Sequence, residues 1–230
     1  MIMSRSLLGL GIVLVAVGGF LTLRMITTNP EPIPVEVNLA EAAQADLAER
    51  NFVPLSGDLS TLLNDPTYQP IPTQTHPLLG QLAPDFTLPD VDGTSWTLSE
   101  KLKDGPVVVV FYYGYYCNHC VSQLFGLNQD ITKFREMTAT VVAISPDPSK
   151  LTQQRFEKYG PFRFPTLSDA QNQVAEKYST FAPGKTPEDE GQLMHGTFII
   201  NRQGRIIWTN RGDGPFTENR TLLRELYRKK

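Results

Sequence analysis

The apolar positions of this 230-residue chain fall into three regimes. Leu7 to Leu23 (LLGLGIVLVAVGGFLTL) carries no charge and is bounded by Arg5 and Arg24. A bilayer-crossing helix needs about 20 apolar residues, with a lower edge near 17. Arg24 can snorkel, while Met25 and Ile26 lengthen the apolar run. The residues next along the chain, TLRMITTNP, offer no small-x-small cleavage site. Residues 1–26 are therefore expected to form an uncleaved transmembrane signal-anchor. Residues 27–80 are acidic and rich in proline (Pro30, Pro32, Pro34, Pro54, Pro66, Pro70, Pro72 and Pro77) and read as an extended linker. NLAEAAQADL within it has the pattern of a short amphipathic helix over Leu39–Leu47. The linker serves either as a solvated tether or as a docking segment for a membrane-complex partner. Its carboxylates stand against a lone Arg50, so the positive-inside rule does not hold it in the cytoplasm. The C-terminal domain is expected to be periplasmic or lumenal.

From residue 81 to 230 the pattern is dense. Asp85–Leu88 and Ser95–Leu98 flank an Asp-Gly turn and predict a strand pair. Val107–Phe111 is continuously apolar, as in a strand buried on both faces, and Val141–Ile144 predicts a second such strand. Val121, Leu124, Ile131 and Phe134 recur at helical spacing. Ser149–Tyr159 and Gln171–Tyr178 predict helices, and Phe164–Leu167 a short strand. Thr197–Ile200 and Arg205–Trp208 bracket a turn as an antiparallel hairpin. Thr217 is the expected cap of a last helix with Leu222, Leu223, Leu226 and Tyr227 on one face. The order predicts an α/β three-layer sandwich with a mixed central sheet.

Composition narrows the function classes. Apolar residues make up 40% and charged residues 20%, as in an ordinary globular protein. A net charge of −3, with no arginine-rich run among aromatics, argues against nucleic acid as a partner. The two cysteines, Cys117 and Cys120, form a single C-x-x-C. With nothing to staple, and no second pair to complete a zinc site, thiol redox chemistry is the expectation, with no cofactor beyond the pair.

The pair comes directly after a buried strand and opens a helix, where free N–H groups and the helix dipole favour an anion. The thiolate is the attacking species, so Cys117 is the expected nucleophile and Cys120, one turn on, the resolving sulfur. His119 lies between them and can stabilise the Cys117 thiolate. The neighbouring aromatics are Phe111, Tyr112, Tyr113, Tyr115 and Tyr116; Tyr115 or Tyr116 is placed to cover the disulfide or touch a substrate. The polar segment 182–192 could rim the site.

The stretch LAPDFTLPDVDGTSWTLSEKLKDGPVVVVFYYGYYCNHC, with VVAISPDPSKL, FPTLSDAQNQVAEKY and GTFIINRQGRIIW after it in that order, resembles the redoxin families: the alkyl hydroperoxide reductase/thiol-specific antioxidant group and its thioredoxin-like relatives. The resemblance runs from about Leu82 to Trp208. It implies a thioredoxin-like fold and an oxidoreductase that exchanges electrons with a protein thiol or disulfide partner, or with a hydroperoxide. Counted from Phe111, Cys120 falls where peroxiredoxins carry the peroxidatic cysteine, but Tyr113 replaces their proline and Cys117 their threonine or serine. Where thioredoxins carry a cis-proline before the last hairpin, this chain has Leu193-Met194-His195-Gly196-Thr197. A rival resemblance, to Sco-type copper chaperones, would make Cys117, Cys120 and His195 ligands to copper.

Overall fold

The computed structural model describes residues 38–115, 117, 119–186 and 189–228. The expected membrane anchor at 1–26 lies outside these residues, as does the start of the expected linker. Among the described residues no helix is long and apolar enough to cross a membrane.

The elements run α1 (Leu39–Glu49), α2 (Leu59–Asn64), β1 (Thr87–Pro89), β2 (Ser95–Thr97), α3 (Leu98–Lys101), β3 (Val107–Phe111), α4 (Ser122–Glu136), β4 (Thr140–Ser145), α5 (Ser149–Tyr159), β5 (Thr166–Ser168), α6 (Gln173–Lys177), β6 (Phe181–Ala182), β7 (Gln192–Leu193), β8 (His195–Ile200), β9 (Ile206–Gly212) and α7 (Asn219–Arg228). The main sheet has the order β5-β4-β3-β8-β9. Its central strand β3 is parallel to β4 and antiparallel to β8, which makes the sheet mixed.

Every residue of β3 is buried, as its run of β-branched side chains requires. Alternate residues feed two cores. Val108 and Val110 join Leu124, Leu127, Ile131 and Phe134 of α4 and Leu222, Leu223 and Leu226 of α7. Val107, Val109 and Phe111 join Phe86 and Trp96 beside the β1–β2 hairpin, with Val174 and Ala175 of α6, on the other face. The result is the expected thioredoxin-like three-layer sandwich. Helix α7 starts at Asn219, later than a Thr217 cap would place it.

Residues 38–80 differ from the expected spacer: over their described part they pack onto the domain. Asn38 caps α1 by accepting from the Ala40 and Glu41 N–H groups. Leu39, Ala43 and Leu47 then form a buried stripe in contact with α4. The approach is close, since a Cβ added at Gly126 of α4 would lie 3.2 Å from the Phe52 ring. Further on, Tyr68 Oη shares a hydrogen bond with Thr221 Oγ1 (2.8 Å), and Arg220 lies over the Tyr68 ring, 4.2 Å from its centroid. Trp208 Nε1 donates to the Ile71 carbonyl (3.2 Å), Gln74 N to the Thr209 carbonyl (2.9 Å) and Thr209 N to Thr73 Oγ1 (2.9 Å). The prolines thus keep the strand-like segment extended along β9, whose edge would otherwise stand open.

Leu47 is 2% exposed, so Leu47→Ala should lower stability by roughly 2–4 kcal/mol in urea denaturation. A solvated spacer would leave the midpoint unchanged.

Candidate functional site

Beyond β3 the chain keeps the sheet register for one residue, with Tyr112 N donating to the Ile144 carbonyl (3.1 Å), and then turns. The turn is held from β4's side. Gly114 has φ +106°, and a Cβ there would meet both Asp147 carboxylate oxygens at 2.7 Å. Tyr115 N donates to Asp147 Oδ2 (2.8 Å). Burial pushes the Asp147 carboxyl upward in pKa, opposed by that amide hydrogen bond and by the Arg155 charge.

Cys117 and Cys120 are joined in a disulfide, with Cα atoms 5.3 Å apart. Cys120 N donates to the Cys117 carbonyl (3.1 Å), and Ser122 donates to the His119 carbonyl through both N (3.2 Å) and Oγ (2.7 Å). Because α4 begins only at Ser122, the pair occupies the turn leading into the helix, not the helix's first turn as expected. The two cysteines differ in burial: Cys120 is 2% exposed, whereas Cys117 is only half-buried.

His119 is exposed, and its Nδ1 lies 2.8 Å from Asp46 Oδ1 on α1. Asp46 is buried and also accepts from Arg50 Nε (2.7 Å). Burial alone would raise the Asp46 pKa, but hydrogen bonds from Arg50, Ser122 and His119 outweigh it and hold the carboxyl below its ordinary value.

His195 opens β8, and no cis peptide occurs among the described residues. The next residue, Gly196, pairs with Phe111 at the end of β3. The His195 ring is 2% exposed and stacks on Tyr113, with centroids 4.6 Å apart. Neither ring nitrogen has a hydrogen-bond partner. Burial, and then the Arg50 charge, lower its pKa to about 4, with Asp46 acting weakly the other way. It is neutral at pH 7. Among the described residues no three histidine, cysteine, aspartate or glutamate side chains form a metal-ligating group, the two cysteines being joined to each other.

Tyr115 is 2% exposed and packs against Tyr112 and Tyr159 in the core, out of reach of a substrate at the surface. Tyr116 lies outside the described residues. The segment 182–192 is partly closed by the small β6–β7 pairing, and the Met194 N–H ties its end to the Thr180 carbonyl (2.8 Å). Asp46, Arg50, Gly114 and Asp147 were not singled out from the sequence. Asp46 carried a readable signal, a charge on the same α1 face as Leu39, Ala43 and Leu47.

A mixed five-stranded sheet with a dithiol pair just past the end of its central strand defines a thioredoxin-fold thiol oxidoreductase. The AhpC/TSA family profile matches residues 79–209, more than half of the chain, and the chain belongs to that family. A Mycobacterium tuberculosis (strain ATCC 25618 / H37Rv) protein named "Putative peroxiredoxin" is 38% identical over 131 residues, covering 56% of this chain and 81% of that protein. The chloroplastic peroxiredoxin Q of Populus jackii is 30% identical over 196 residues, covering 82% and 84% respectively. The crystal structure of peroxidoxin BcpB from Mycobacterium tuberculosis matches with a TM-score of 0.59 at 27% identity, covering 67% of this chain and 99% of that one. The chain is an oxidoreductase enzyme of this redoxin class.

His195 makes stability pH-dependent. In the unfolded chain its pKa is near 6.5, and in the fold about 4, so the fold disfavours the proton. The full contribution is present above pH 6.5 and is lost as pH falls toward 4. Between pH 7 and 5 the expected loss is roughly 2 kcal/mol. His195→Phe, which keeps the stack on Tyr113, should remove that part of the slope in denaturation curves recorded at both pH values; parallel slopes would exclude it.

Proposed function

We propose that the enzyme is a thiol–disulfide oxidoreductase in which Cys117 is the exchange sulfur and Cys120 the resolving one. The observation that carries this reading is the unequal burial of the two bonded cysteines. In the oxidised enzyme a partner thiolate attacks Cys117 Sγ, the S–S bond breaks, and Cys120 leaves as the thiolate. A second partner thiol then attacks the mixed disulfide, releasing Cys117 and the partner as its disulfide. Run in reverse, the Cys117 thiolate attacks a partner disulfide and Cys120 resolves the adduct.

A second reading, hydroperoxide reduction, is favoured by the peroxiredoxin relatives and by the place of Cys120 in the chain. Here the reduced Cys120 thiolate attacks the peroxide, the O–O bond breaks, an alcohol leaves and a sulfenic acid remains. The Cys117 thiol condenses with it, expelling water and restoring the disulfide, which an external thiol reductant reopens. Against it stand the burial of Cys120 and the absence of the hydroxyl that Cys117 replaces.

Attachment to a membrane through residues 1–26, with the redox domain on the periplasmic or lumenal side, is part of the same proposal. It is supported by the uncharged run Leu7–Leu23 and the acidic segment after it.

Single serine variants separate the two chemistries. Cys120→Ser should accumulate a mixed disulfide through Cys117, visible on non-reducing gels, while Cys117→Ser should trap none. Peroxide consumption retained by Cys117→Ser and abolished in Cys120→Ser would make the second reading correct. The anchor predicts that the full chain stays with membranes through alkaline carbonate extraction; release into the supernatant would refute it.

A further inference from the structure

The histidine between the two cysteines is held by a side chain from well upstream of residue 79, where the family profile begins. Asp46 is carried by α1, which is fixed on α4 by Leu39, Ala43 and Leu47, all 6% exposed or less. Its own side chain is 6% exposed. An ionised carboxylate so placed needs partners, and it has them: Arg50 Nε at 2.7 Å and Nη2 at 3.3 Å, and His119 Nδ1 at 2.8 Å. A carboxylate only accepts, so His119 Nδ1 carries the hydrogen of this bond. That leaves Nε2 as the ring atom able to take or give a proton, on a side chain that is 69% exposed and lies between Cys117 and Cys120 in the chain.

We propose that Asp46 is a positioning residue of the redox centre: it fixes the tautomer and orientation of His119 so that Nε2 accepts the proton of the reduced Cys117 thiol, and it then holds the cationic ring. The inference rests on the thiol–disulfide reading. The proton balance is closed: opening the disulfide with two partner thiols yields the partner disulfide and two enzyme thiols, and the Cys117 proton moves to His119 Nε2 to leave a thiolate–imidazolium pair. Asp46 stabilises that pair from behind the ring, as a carboxylate orients an imidazole in hydrolytic triads. Its repulsion of the thiolate is countered by Arg50, which holds two N–H groups on the carboxylate. The charged and titratable groups around His119 are thus Asp46 of α1, Arg50 at that helix's C-cap and the neighbouring cysteines; His195 of β8, which also feels Asp46 and Arg50, is neutral at pH 7. Asp46 and Arg50, which precede the family-matched residues, become part of the active site.

The test uses the full chain and glutathione as the redox buffer. Asp46→Asn keeps the shape and an acceptor but removes the charge, so the reduced state should lose stabilisation. The equilibrium should move about tenfold toward the disulfide, equivalent to about 30 mV for two electrons. The pH at which reduced Cys117 becomes alkylated by iodoacetamide should rise. Asp46→Glu should recover part of both effects, and Asp46→Asn should add nothing in a His119→Ala background. Glu49→Gln, an exposed change on the same helix, is the control and should match wild type. An equilibrium and alkylation profile within twofold of wild type in Asp46→Asn, with only the melting temperature lowered, would reduce Asp46 to a structural role and overturn the proposal. So would an equal shift with and without His119. A wild-type pair that does not exchange with glutathione at all would instead defeat the thiol–disulfide reading itself.

Discussion

The burial of β3 between β4 and β8 constrains everything around the redox pair. A strand with apolar side chains on both faces and partners on both edges cannot shift register without exposing one core or the other. Its end is therefore a fixed point, and so is the turn that leaves it. Asp147, just after β4, uses one carboxylate to accept the Tyr115 N–H and to fill the space that a side chain at residue 114 would need. The parallel pairing of β3 with β4 brings these two strand ends together, and the disulfide turn starts from there.

The electrostatics of the site are asymmetric. On the β8 side, His195 is buried, stacked on Tyr113 and uncharged at neutral pH, so it contributes no positive charge. On the α1 side, Arg50, Asp46 and His119 form a hydrogen-bonded row ending at the dithiol turn. The positive end of α4 lies beneath the same turn. Any favourable field for a thiolate comes from these two sources, one belonging to the sheet domain and one brought by the segment before it.

The legible parts of the fold were those encoded by local period. The valine run of β3, the apolar run of β4 and the helix Ser149–Tyr159 appear where their patterns place them, because burial on one or both faces leaves a mark on neighbouring residues. The cysteine pair was legible for a different reason, since two reactive side chains at a fixed spacing carry their chemistry with them. Residues 38–80 misled because proline and acid content report on local stiffness and solvation, whereas their docking depends on β9's edge and on the α4 surface, which are distant in sequence. Gly114 and Asp147 were hidden likewise: a glycine's need for positive φ and a carboxylate's amide partner exist only once β3 and β4 lie side by side.

An unpartnered buried imidazole is costly, since each polar atom removed from water without a hydrogen bond is worth about 1–3 kcal/mol. His195 has two such nitrogens, at a position where the backbone pairs with Gly212 of β9 and the next residue pairs with β3. Proline there would fix the backbone but lack the N–H and the flat ring. The histidine keeps the strand pairing and gives Tyr113, just past β3, a face to stack on. Its neutrality is then a consequence of the burial that this stack brings. Charge is left to the other side of the turn, where His119 meets Asp46 and Arg50.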